Sequence, residues 1–171
     1  MQTSMDNFIS QSNKSYSGKN AEGQQVNFSF INDPEATLTA EFTDRVSYPE
    51  GYASPEATRE MSQAGGAVLL TDFGNTQTGN MQISTQNSFP QAGDTKEQSD
   101  SKRPGSVIKH EMGHIFGLQH LKRDEKQSNK KNDEAVNNVM FDQAQGHPKE
   151  SVQITKEQRT QILNNIPTVT P

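Results

Sequence analysis

Apolar residues in this 171-residue chain recur with two different periods, and the change from one to the other marks out the expected elements. Val26, Phe28 and Phe30 alternate with Asn27 and Ser29, and Leu38, Ala40 and Phe42 alternate with Thr39 and Glu41. Side chains two apart share one face of a strand, so both stretches read as half-buried strands, separated by the Asn-Asp-Pro turn at 32–34. Ser54-Pro55 supplies an N-cap and a first-turn proline. Ala57, Met61 and Ala64 then recur at helical spacing, predicting an amphipathic helix over 55–64 that Gly65-Gly66 halts. Ala67–Phe73 is a short apolar run and reads as a buried strand. A polar turn follows at 74–80, and Met81–Thr85 reads as another strand. Residues 91–105 are charged and loop-like. Beyond them Ser106 is the expected N-cap of a helix over 107–117, whose Val107, Ile108, Met112, Ile115 and Phe116, with Leu118 just past its end, anchor it in the core. Thr155 and Gln158 form a capping box for a last helix over 156–165 that carries Ile162 and Leu163. Residues 1–24 are polar and read as an N-terminal arm, with a short helix over Met5–Gln11, or as the remnant of a prosegment. Nothing repeats internally.

The helix at 107–117 carries the chemistry. Residues 110–120 read His-Glu-Met-Gly-His-Ile-Phe-Gly-Leu-Gln-His, which uses three of the chain's four histidines. Positions i and i+4 share a helix face, so His110 and His114 aim their imidazoles at a common point. Neutral imidazole is a good ligand for Zn²⁺. Glu111 is about 100° further round the helix and flanks the metal without ligating it, the place of a general base acting on a zinc-activated water. Gly117 can take positive φ and turn the chain sharply, which lets His120 return to the same ion. Three protein ligands leave a fourth position open, as in catalytic zinc sites, whereas structural sites are closed by four. A helix carrying His110 and His114 merely as solvated residues would explain neither Gly117 nor His120.

The extended array resembles the signature of the metzincin zinc endopeptidases. That family also has a downstream turn whose methionine lies beneath the ligands, and Asn137-Asn138-Val139-Met140-Phe141-Asp142 fits it, with Met140 as the methionine. Leu121, directly after the third histidine, matches neither the Ser of matrixins, the Pro of serralysins, the Glu of astacins nor the Asp of adamalysins. Asp142 stands where astacins and serralysins place a tyrosine that can swing onto the metal. The Met-Phe pair is closer to the Met-Tyr of matrixins, so the resemblance is to the clan and not to one subgroup. It implies an α+β fold: a twisted, mostly parallel sheet backed by helices, over a small irregular C-terminal subdomain ending in a helix. The expected division is one catalytic domain over 1–171, with an arm at 1–24, an N-terminal subdomain at 25–118 and a C-terminal subdomain at 119–171. A cleft between the subdomains would hold the zinc.

Composition narrows the partners. Net charge is −5, with no basic footprint for nucleic acid. Hydrophobic residues make up 29% and no window approaches the ~18 apolar residues of a membrane span. The chain has no cysteine, which excludes disulfides and a cysteine-switch latency within it. Met1–Asn7 lacks the basic start and apolar run of a signal peptide. The expectation is a monomeric, secreted zinc endopeptidase acting on protein or peptide, with Zn²⁺ on His110, His114 and His120, and Glu111 as base. Two alternatives stay open: a zinc hydrolase of a non-protein amide, such as a cell-wall peptide crosslink, and an inert zinc-containing binding protein. Residues 80–92, just upstream of the zinc helix, are expected to offer the edge or rim against which a peptide lies extended. The charged stretch Lys122–Asp133 reads as a solvated loop. His147 reads as a surface residue that a substrate-pocket wall would bring against substrate. Asp72, Asn75, Asn80 and Asp94 offer oxygen ligands at a spacing that matches no calcium loop.

Overall fold

The computed structural model describes residues 2–31, 33, 35–36, 38–48, 53–69, 79–102, 104–121, 138–141 and 153–165. It is a mixed α/β protein of helices and small sheets. The chain divides into two compact units, Met1–Glu35 with Gly113–Pro171, and Ala36–Met112. The N-terminal 35 residues thus group with the C-terminal part, and the other boundary falls inside a helix, six residues before the expected one at 118/119.

The Ala36–Met112 unit is built on a three-stranded sheet of β3 (Leu38–Thr43), β4 (Gly66–Leu69) and β5 (Gly79–Ser84), in the order β3-β5-β4. β3 runs parallel to β5 with Leu38 opposite Gly79, and β4 runs antiparallel to it with Gly66 opposite Ile83. Alternation puts Met81 and Ile83 on the buried face of the central strand. β5 therefore has both edges hydrogen-bonded, so the strand within 80–92 is not the edge strand expected for a substrate. No N–H or C=O row of β5 is left for a further chain. The residues after it leave the sheet altogether as α3 (Thr85–Ser88). The edges of this sheet are β3 and β4.

Helix α2 (Pro55–Met61) begins as its sequence demands, with Ser54 Oγ accepting from the Ala57 amide and proline in the first turn. It stops three residues short of the expected end. The stretch at 91–105, expected to be a loop, contains α4 (Lys96–Ser101), closed by a capping box between Thr95 and Gln98. Helix α5 (Pro104–Ile115) starts two residues before Ser106, which lies inside its first turn and is not its cap. Pro104 suits a helix start because the missing N–H has no intrahelical partner there.

In the other unit, residues 2–16 form α1 (Gln2–Tyr16) where an arm with a short helix was expected. Among its described side chains Ser12, Ser15 and Tyr16 are buried, with Tyr16 wholly inside. Two small polar residues among them hide the helical stripe from a hydrophobicity reading. Tyr16 meets Phe28, Phe30 and Phe116 edge-on, with centroids 6.1, 5.5 and 5.8 Å away. Phe28 and Phe30 do share a face, stacking 12° from parallel, but only Gln25–Val26 (β2) is strand, paired antiparallel with β1 (Gly18–Lys19). The last helix, α6 (Lys156–Asn165), has the expected bounds and capping box. Its Arg159 is buried and donates from Nε to the Tyr16 carbonyl at 2.8 Å, locking the N-terminal helix to the C-terminal one. The first residues are thus part of this unit's packing. Among the described residues no helix is long and apolar enough to cross a membrane.

Candidate metal centre

Helix α5 buries Val107, Ile108 and Ile115, which fixes its rotation and with it the faces of His110, Glu111 and His114. It ends in a Schellman turn. Gly117 has φ +80°, the Gly117 amide donates to the His114 carbonyl at 2.9 Å and the Leu118 amide to that of Gly113 at 2.9 Å. A residue with a Cβ adopts that φ only under strain, so the glycine of the motif is required by backbone geometry. The turn reverses the chain and delivers His120. The ligand atoms of His110, His114 and His120 all lie within 4.8 Å of one another, and the three can hold a metal ion. Burial grades across them, from His110 inside to His120 exposed.

The same turn sets the tautomer of His114. Its Nδ1 lies 2.9 Å from the Leu118 carbonyl, an atom that can only accept. Nδ1 therefore carries the proton, and Nε2 presents its lone pair towards His120 Nε2, 2.9 Å away. Burial lowers the His114 pKa against the Leu118 hydrogen bond, with His120 adding to the lowering, so the ring is held neutral, as a ligand must be.

Glu111 is buried, 6% exposed, and burial raises its pKa to about 8. Its side chain lies against the start of β4. A Cβ on Gly66 would come within 2.8 Å of Glu111 Cγ and 3.0 Å of its Oε1. The absence of a side chain at Gly66 makes the space in which this carboxyl sits. The first residue of an edge strand and the carboxyl of the array are neighbours.

Beyond the array, the turn at 138–141 buries Val139, Met140 and Phe141. Met140 packs on Gly113, where any Cβ would overlap its Sδ. Its carbonyl accepts from the Leu121 amide at 2.7 Å, one residue past His120. Asn138 Oδ1 accepts from the Met140 amide at 2.8 Å, and Asn138 Nδ2 donates to Gln158 Oε1 at 2.8 Å. From α6, Gln161 donates to the Gly117 carbonyl at 3.1 Å and Asn165 to that of Phe116 at 2.9 Å, satisfying carbonyls orphaned at the end of α5.

The sequence-expected residues His110, His114, His120 and Glu111 thus come from one helix and the turn after it, with Met140 against that helix. Asp142, His147, Asp72, Asn75 and Lys122–Asp133 lie outside the described residues. Asn80 sits on β5, and Asp94 pairs with Lys102 at 2.8 Å in the turn before α4, so these two form no common oxygen site. The supports Asn138, Gln158, Gln161 and Asn165 escaped the sequence reading. Gln158 was visible as a capping residue, but an amide's second partner leaves no trace in sequence spacing.

Comparison with known protein families, characterised proteins and solved structures returned no significant match.

Proposed function

We propose that the chain is a zinc endopeptidase of metzincin type, in which His110, His114 and His120 hold Zn²⁺ and Glu111 is the general base. The observation that carries the reading is the joining of an open three-histidine set to a buried carboxyl one residue along the same helix. The donor set suits zinc. Tetrahedral Zn–N bonds of about 2.0–2.1 Å place nitrogens roughly 3.3–3.4 Å apart. The His114–His120 pair, at 2.9 Å, and the outer limit of 4.8 Å bracket that spacing. Bound there, zinc would supply Lewis-acid polarisation of a carbonyl and a water acidified to about pKa 7.

Glu111 then does the proton work. A carboxyl with pKa about 8 gains a proton readily near neutrality and passes it on to a leaving amine. A cation beside it would favour the carboxylate and draw that pKa down, which leaves it in the range a base needs. An inert metal-binding protein has no use for a buried carboxyl at this position, and the desolvation it suffers is a cost that such a protein could shed. The exposed side of the set, at His120, leaves room for a substrate carbonyl. A peptide pairing with the edge of β4, which no described strand occupies, would run past Gly66, and so past Glu111, which favours a peptide over a compact amide.

Incubation with a proteome-derived peptide library, read by mass spectrometry, tests the reading. Cleavage that stops on chelation and returns with Zn²⁺ is expected, with one zinc per chain by elemental analysis. Less than about half an equivalent in metal-replete protein would sink it.

A further inference from the structure

We propose that Asn138 and Gln158 are positioning residues for the metal ligands, holding His120 and the Gly113 face of α5 in place through the 138–141 turn. The proposal rests on the metal-binding reading above. Both side chains are buried, 3% and 8% exposed, and their amides face each other. Asn138 Nδ2 donates to Gln158 Oε1 at 2.8 Å and Gln158 Nε2 donates back to Asn138 Oδ1 at 3.3 Å. Each oxygen also has a backbone donor: Gln158 Oε1 accepts from the Thr155 amide at 2.8 Å, and Asn138 Oδ1 from the Met140 amide at 2.8 Å. Both oxygens are therefore saturated, and neither amide can flip without turning its NH2 onto a backbone N–H donor.

The consequence for the metal follows along the chain of bonds. The Gln158 side chain is fixed by the Thr155 backbone amide, Asn138 is fixed by Gln158, and the Met140 amide is fixed by Asn138. Met140 then reaches the site twice, by its side chain packed on Gly113 between His110 and His114, and by its carbonyl on the Leu121 amide beside His120. Residues that hydrogen-bond a metal ligand directly are worth about 10–100-fold in affinity, and this pair, acting through Met140, is expected at the lower end of that range. The two distances give the proposal its asymmetry. Gln158→Glu keeps both acceptor roles of Oε1 but sets its second oxygen at the longer distance, 3.3 Å, from Asn138 Oδ1. Asn138→Asp keeps the bond from Met140 but sets an oxygen at 2.8 Å from Gln158 Oε1.

The test uses the full chain, with Zn²⁺ affinity measured by competition with a chromophoric chelator and the visible spectrum of the Co²⁺-loaded protein as a second readout. Asn138→Asp and Gln158→Met should weaken zinc by about tenfold and alter the Co²⁺ bands, with Gln158→Glu the mildest of the three. Thr155→Ala is the control, because it removes the other half of the capping box, the acceptor of the Gln158 amide, and leaves the 138–158 pair intact. It should lower the melting temperature about as much as Gln158→Met while zinc affinity stays within about twofold. Equal metal losses in Thr155→Ala and Gln158→Met would overturn the proposal, since helix stability alone would then account for them. Parental affinity in Asn138→Asp would overturn it as well, a variant that needs no change in side-chain size to fold. A parent chain that takes up neither Zn²⁺ nor Co²⁺ would instead bring down the metal reading, and this one with it.

Discussion

Within α5, Glu111 and the His114 end are held by different forces, although both belong to the array. Glu111 is set by shape: Val107 and Ile108 beside it are buried, and Gly66 leaves the gap that Glu111 fills. The His114 end, with the turn to His120, is set by directed hydrogen bonds. Leu118 holds His114, Met140 holds Leu121, and Gln161 and Asn165 cap the last carbonyls. The difference fits what each group has to do. A base needs desolvation, which apolar packing supplies without regard to angle. A ligand needs a defined lone-pair direction, which only a hydrogen bond to its other nitrogen or its backbone fixes.

The sharpest way to break this comparison is at Glu111. Glu111→Gln keeps the shape but cannot take a proton, so turnover on cleaved peptides should fall by about 10²–10⁴. Zinc content should hold, and the metal-free protein should gain stability from the loss of a buried carboxyl. A variant that cleaves at the parental rate refutes the mechanism; one that loses its zinc makes Glu111 a ligand.

The next effect concerns pH. Folded metal-free protein binds the Glu111 proton up to about pH 8, while an unfolded chain releases it near the ordinary glutamate value of 4.5. The folded state therefore carries the extra proton between those values, and stability falls as pH rises through that window, then levels. The loss is on the order of several kcal/mol, and Glu111→Gln should abolish most of it. Denaturant midpoints of the metal-free protein across pH 5–9, parent against variant, check this, and a flat parental profile contradicts it.

Smaller effects separate the base from the ligands. Gly113→Ala forces a Cβ onto Met140 Sδ and should cost about 1–3 kcal/mol, together with zinc affinity. Met140→Ala in the same chain should relieve part of that cost, and the cycle measures the coupling. Gly66→Ala would place its Cβ 2.8 Å from both Glu111 Cγ and Val107 Cγ1, so we expect a turnover loss of about tenfold, at the weaker end of acid–base effects, with zinc affinity less affected than by Gly113→Ala. If Gly66→Ala loses metal and Gly113→Ala keeps it, the division between the base and the ligands is reversed.

The sequence by itself determined the array and its local geometry. His110 and His114 are a helical turn apart by spacing, Gly117 is a positive-φ turn by lack of a Cβ, and Thr155 with Gln158 starts α6, all because these depend on residues within one or two turns of each other. It likewise placed β3, whose alternation is strict. Tertiary structure alone decided the rest. Phe28 and Phe30 kept the strand period but joined an aromatic cluster with Tyr16 and Phe116, because rings can satisfy one face without a ladder. α1 was masked by Ser12 and Ser15, small enough to bury without an apolar signature. β5 became central, and so closed to a partner strand, by pairing with β3 across some forty residues of chain. The supports of the metal set, Asn138 with Gln158 and Asn165 with Phe116, join residues twenty and forty-nine apart. An amide has no preferred sequence distance to its partner, so only the folded chain could reveal them.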